Sequence, residues 1–254
     1  MLVDAKIATL LAIMLVTVRF SVVFLLSPLF SMGRLPVKFR LIFILALSFI
    51  LVAANGAGDT IHVTTLGTMA EAVLFELLLG GLLSFGIFTA FAAFQLGGRI
   101  VDLQMGFGVA GLIDPSTNTQ APLIGTVLNL MGVLTFFLLD GHHLVLRGLV
   151  YSLEKVPPGI GLEGINIQAL VAQFGVMFVL GFALVAPVIV TLVLLDIAMA
   201  IAARTMPQVN IFIISFPIKI FIGLSVLALS LGYMSPMLEK IYASIFDYWE
   251  LILG

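Results

Sequence analysis

Residues 203–224, ARTMPQVNIFIISFPIKIFIGL, carry the apolar content of a membrane helix together with six residues that a lipid-facing helix excludes: Arg204, Pro207, Gln208, Asn210, Pro217 and Lys219. The bilayer core holds no water to satisfy a freed backbone group, and it penalises isolated charge. Irregular backbone and charge at membrane depth therefore persist only where protein or water surrounds them. A chain with such a segment belongs in a membrane, yet something other than acyl chains must cover this part of it.

The rest of the sequence agrees that lipid is the solvent. Of its 254 residues 62% are hydrophobic and 9% charged, with a mean hydropathy of +1.28, more apolar surface than a soluble fold of this size hides. A net charge of −2 speaks against a nucleic-acid partner. The absence of Cys excludes disulfides, thiolate zinc sites and Cys nucleophiles. The N-terminus, MLVDAK, lacks a basic leader, and the apolar run after it is too long for a signal peptide, so an uncleaved first helix is expected.

A helix needs about 20 apolar residues to cross ~30 Å of hydrocarbon. Six stretches qualify, roughly 7–32, 40–57, 70–96, 122–140, 168–195 and 211–236. Arg34, Lys38 and Arg40 form the densest basic cluster and predict a cytoplasmic first loop, hence an external N-terminus. Two regions break the pattern. Residues 97–121 mix glycines, charges and a polar turn and read as a long non-spanning loop; residues 154–166, EKVPPGIGLEGIN, read as a surface connection. No fixed-period repeat is present, and residues 1–254 read as one domain: an all-α integral membrane protein of about six kinked hydrophobic segments with a glycine-rich non-spanning loop.

Eight charges lie within or beside the spans: Arg19, Glu71, Glu76, Arg99, Asp102, Asp196, Arg204 and Lys219. Each costs about 2.5–3.5 kcal/mol at the centre of a lipid-exposed helix, so together they outweigh the ~5–15 kcal/mol net stability of an ordinary protein. Most must face protein, one another or water. Arg99 and Asp102 are spaced to pair on one helical face. Glu71 and Glu76 are not, and need cations from elsewhere; Arg19 has the option of snorkelling to an interface. The charges fit either a polar path or subunit contacts, or else structural pairs inside a bundle.

Familiar catalytic strings fail on context. GFGVAG at 106–111 matches G-x-G-x-x-G but lacks the flanking strand, helix and distant acid of a dinucleotide site. His142 and His143 are adjacent, so their side chains are expected to diverge on a helix and, with Asp140, to mark a polar helix end rather than a metal site. No P-loop occurs and no nucleophile–base spacing is visible; neither cofactor nor metal is expected, and no enzymatic activity. Met105 and Phe107 offer soft, adaptable packing in the glycine loop.

Several strings together resemble the FliR family, membrane proteins of the flagellar type III export gate, and its injectisome relatives. Arg204, Pro207, Gln208, Asn210, Phe212, Phe216, Pro217, Lys219, Ile220, Gly223 and Leu224 fit the family's R-x-x-P-Q-x-N-x-F-x-x-x-F-P-x-K-I-x-x-G-L pattern. SPLF at 27–30 with Pro36 and Arg40, Gly98 with Asp102, Gly106, Asp114-Pro115 and Ala186-Pro187 follow in the family's order. Gly141-His142-His143 and Ser152 look like the flagellar branch.

The resemblance implies a non-catalytic subunit packed with FliP and FliQ homologues, in contact with an FlhB homologue, in the inner membrane at the flagellar basal body. It implies kinked hairpins, partly above the bilayer plane, around a channel for unfolded flagellar proteins. The glycine loop, with Met105, Gly106, Phe107, Gly108, Gly111, Asp114 and Pro115, is similar to the channel plug. Arg99, Asp102, Asp196, Arg204, Pro207, Gln208, Asn210, Pro217 and Lys219 are then interface or structural residues, with Pro207 and Pro217 shaping a bent hairpin. Two alternatives remain: a small transporter with Glu71, Glu76 and Asp196 as an ion relay, or a membrane scaffold.

Overall fold

The computed structural model describes residues 2–28, 36–55, 65–107, 122–161, 165–206, 208 and 210–254. Among them the chain is all-α and has no strand: α1 (Leu2–Leu26), α2 (Val37–Asn55), α3 (Leu66–Met105), α4 (Leu123–Leu138), α5 (Gly141–Lys155), α6 (Ile167–Thr205), α7 (Ile211–Ser230), a 3₁₀ turn (Leu231–Tyr233) and α8 (Ser235–Leu253). Five of these, α1, α2, α3, α6 and α7, are long and apolar enough to cross a membrane; α4 and α5, taken together as one interrupted span, make a sixth candidate. The all-α membrane class read from the sequence is the class observed.

Two helices overshoot their expected lengths. α3 has 40 residues and α6 has 39. At ~1.5 Å per residue each runs roughly 60 Å, about twice the hydrocarbon thickness. The expected loop at 97–121 is thus corrected at its start, because α3 continues through Gly97 and Gly98 to Met105. These glycines allow close helix packing instead of breaking the helix. A Cβ at Gly97 would stand 2.8 Å from the Gly181 carbonyl oxygen on α6, and one at Gly98 would overlap the Gly125 backbone on α4. Small residues at such crossings are how helices pack where no hydrophobic effect drives them together.

Of the expected surface connection at 154–166, residues 162–164 lie outside the described residues, Glu154 and Lys155 still belong to α5, and Val156 and Pro158 are buried. α5 stops at Lys155, and Gly159 (φ 86°) and Gly161 (φ 101°) take the left-handed conformations of the turn before α6.

The described residues form two compact units. One holds residues 1–89, 137–174 and 244–254, the other 90–136 and 175–243. All four passages between them fall inside helices, α3, α4, α6 and α8, so no linker separates the units in sequence.

In the first unit the end of α8 is locked onto α3. Trp249 Nε1 donates to the Leu83 carbonyl at 2.9 Å and Tyr248 Oη donates to that of Leu82 at 3.0 Å. Both rings are buried; Gly86 leaves room for the Tyr248 ring and Gly148 for that of Trp249. The second unit is built around Phe91, Phe94, Phe136 and Tyr242, whose ring centroids lie 5.4 Å (Phe136–Tyr242) to 6.4 Å (Phe91–Tyr242) apart. Tyr242 Oη donates to the Gly132 carbonyl at 2.6 Å. A buried Tyr keeps its hydroxyl paired in this way.

Candidate functional site at the root of the glycine loop

The second unit brings the beginning of the glycine loop onto α7. Asp102, on the last turns of α3, is buried, and its carboxylate accepts from the backbone N–H groups of Ile124 (3.0 Å) and Gly125 (3.2 Å). Those are orphan donors at the start of α4, and a carboxylate there also complements the helix dipole. Asp102 and Gly98 thus serve one crossing: the glycine lets α4 come close and the aspartate fixes its first turn. The expected helical pairing partner, Arg99, is exposed.

One turn further, Met105 is fully buried, and its thioether methyl fills the space in front of Gly223 on α7. Gly106 then leaves the helix at φ 88°, with the Phe216 ring where its Cβ would stand. Phe107 is half-buried. The other residues of the expected plug, Gly108, Gly111, Asp114 and Pro115, lie outside the described residues. What is visible is the root of the loop, clamped to α7 by Phe216 and Gly223.

Between α6 and α7 the described residues Met206, Gln208 and Asn210 are non-helical, as the polar content of the segment predicts. Arg204 is exposed in the last turn of α6, where a cation complements the helix C-terminus. Gln208 is exposed; Asn210 is the exposed N-cap of α7; Pro207 lies outside the described residues. Pro217 lies inside α7, which continues through it, as α6 continues through Pro187. Neighbouring helices and local adjustment satisfy the freed carbonyl in membrane helices.

Lys219 has a partner within the chain: its Nζ lies 2.5 Å from Asp196 Oδ1 across α7 and α6, with side chains 18% and 43% exposed. It also lines a cleft with Ile100, Leu103 and Gln104. This pairing unites two residues expected separately to serve subunit contacts.

In the first unit, Arg19 is fully buried and does not snorkel. Its guanidinium forks onto Glu76, Nε to Oε2 at 2.6 Å and Nη2 to Oε1 at 3.1 Å, and donates to the Ser152 and Val156 carbonyls. Gly159 N–H completes the cage on Glu76. Two of the three carboxylates of the relay alternative are thus paired within the chain, Glu76 with Arg19 and Asp196 with Lys219, while Glu71 is exposed. Sequence reasoning supplied both Arg19 and Glu76 but not their pairing, since a separation of 57 residues leaves no local signal.

The geometry of the adjacent histidines also departs from expectation. Asp140, at φ 55°, precedes α5, and the rings of His142 and His143 lie 4.1 Å apart at 37°. The side chains converge in the first turn of α5.

Comparison with known proteins follows the same segments. The family model described as bacterial export proteins, family 1, matches residues 10–245. The chain is 30% identical over 237 residues to the flagellar biosynthetic protein FliR of Bacillus subtilis (91% of this chain, 90% of the relative). It is 29% identical over 224 residues to that of Escherichia coli (87% and 84%). The likeness extends, at 26% over 182 residues, to the Yop proteins translocation protein T of Yersinia pestis (70% and 69%). With buried charge, interrupted helices and the motif-bearing α7 all in place, the chain belongs to the bacterial export proteins, family 1, the FliR family.

Proposed function

We propose that this chain is a non-catalytic subunit of the flagellar type III export gate and that its glycine loop helps close the channel. It packs with FliP and FliQ homologues, meets an FlhB homologue, and sits in the inner membrane at the flagellar basal body, where unfolded flagellar proteins pass. Residues 1–254 act as one gate domain. The observation that carries the plug reading is the clamped root: Met105 and Gly106 are seated on Gly223 and Phe216, which gives the loop beyond them a fixed origin. The subunit reading draws on α2 and α7, of whose apolar windows 17% each is buried within the chain, against 61% for α3. Faces left that open, beside exposed Arg204 and Asn210, suit partner subunits as well as lipid.

The test is deletion of residues 106–111 in cells that assemble the complex. Leakage of small solutes is the expected result. Wild-type permeability with an assembled complex overturns the plug assignment and leaves the subunit assignment to co-purification.

A further inference from the structure

The turn between α4 and α5 carries a side-chain cluster to which the proposed function assigns no part. The chain has three His residues, and two of them, His142 and His143, converge here with Asp140. One ligand atom from each of the three lies within 4.8 Å of the other two. Asp140 precedes the helix as its N-cap, yet makes no side-chain capping bond, so its carboxylate is not committed to the α5 backbone. His142 Nδ1 is buried and has no hydrogen-bond partner among the described residues, while its ring rests on Phe137 at 5.6 Å.

We propose that Asp140, His142 and His143 form a binding site for a divalent late first-row metal ion, Zn²⁺ foremost. Two imidazoles and a carboxylate are the nitrogen and oxygen donors such ions take, and three protein ligands leave one position open. Bonds of about 2.0–2.2 Å set ligand atoms about 3.4 Å apart in a tetrahedron. His143 Nδ1 and Asp140 Oδ1 already stand 3.4 Å apart. The wider separations close by side-chain rotation, which is open to His143 and Asp140, whose side chains are 62% and 75% exposed. The negative end of α4 and the positive end of α5 meet at this turn, so the helix dipoles do not decide against a cation there. A bound ion would tie Asp140 to the first turn of α5, the helix whose other end supplies the Ser152 and Val156 carbonyls to Arg19.

The test uses the full chain in its assembled complex, purified in detergent through a tag without histidine and stripped with a chelator. Calorimetric titration with Zn²⁺ should show saturable binding at one site per chain. His142→Ala, His143→Ala and Asp140→Asn should each weaken it by at least roughly the 10–100-fold that loss of an outer-shell partner costs. His62→Ala, the third histidine of the chain, should leave it unchanged. No saturable binding by the wild type, or equal binding by the His142 and His143 variants, overturns the site. Should those variants fail to assemble, hydrogen exchange of the wild type decides. Zn²⁺-dependent protection confined to residues 139–145 supports the site; protection elsewhere or none refutes it.

Discussion

Gly106 occupies the left-handed region at φ 88° with the Phe216 ring standing where its Cβ would be. An alanine there meets both penalties, the strained backbone and the displaced ring. Gly106→Ala should cost about 1–3 kcal/mol in the second unit. Gly81 on α3 is the control: it is helical, with nothing within 4 Å of where a methyl would stand, so Gly81→Ala should gain about 0.5–1 kcal/mol. Thermal unfolding of the two variants in detergent checks this. A Gly106 variant as stable as the Gly81 variant would mean that the loop root is not seated on α7.

The Arg19–Glu76 pair is shut away from solvent, with side chains 0% and 3% exposed. Removing one partner strands a buried charge. Glu76→Leu or Arg19→Met should each cost about 3–5 kcal/mol, whereas the double variant should recover much of that loss, since an apolar pair of similar volume has no desolvation cost to offset. The Ser152 and Val156 carbonyls, deprived of their donor, limit the recovery. A double-mutant cycle of unfolding free energies reads the coupling. Strictly additive losses would refute the pair as a unit.

Much of this was legible in the sequence, and the exceptions share a physical cause. Apolar runs located α1, α2, α4 and α7 because a membrane helix must satisfy its own backbone and therefore announces itself locally. The break at 206–210 was legible for the same reason. Gly97 and Gly98 misled, because glycine reads as a breaker in water but as a crossing point between packed helices. α8 was missed since it is amphipathic: Leu238, Ile241, Tyr242, Ile245, Tyr248, Trp249 and Ile252 are buried at helical spacing, but Glu239, Lys240, Asp247 and Glu250 break any apolar run. Of the candidate site, Asp102, Met105, Gly106, Asp196 and Lys219 stand out in the sequence, and Phe216 and Gly223 belong to its motif, but which of them meet does not. The pairings Met105–Gly223, Gly106–Phe216 and Asp196–Lys219 join distant segments and exist only in the folded chain.

Arg204 and Lys219 separate in their expected effects, although the motif presents them together. Lys219 is held by Asp196 on α6, so Lys219→Glu should both loosen α7 from α6 and weaken co-purification with the gate partners. The swapped pair, Lys219→Asp with Asp196→Lys, should restore part of the loss. Arg204 is exposed at the end of α6, and Arg204→Glu should leave the chain's own unfolding within about 1 kcal/mol of wild type while reducing co-purification. Full complex recovery with the Arg204 variant would remove that residue from the interface.

Tyr242 sets an alkaline limit on the second unit. Burial pushes its phenol from 10.0 up to about 12, against the smaller opposing pull of the Thr135 hydroxyl. Burial pushes the Tyr248 phenol up as well, in the first unit. The unfolded chain releases the Tyr242 proton first, so the stability held by the neutral phenol is whole below pH 10 and is lost as pH rises through about 12. The phenolate could no longer donate to the Gly132 carbonyl, and the ring would carry charge among Phe91, Phe94 and Phe136. Tyr242→Phe should cost about 0.5–1.5 kcal/mol at neutral pH through the lost hydrogen bond, yet flatten the alkaline decline. Tyrosinate absorbance followed alongside unfolding across pH 10 to 12 checks both parts. An identical alkaline decline in wild type and variant would show that another group governs it.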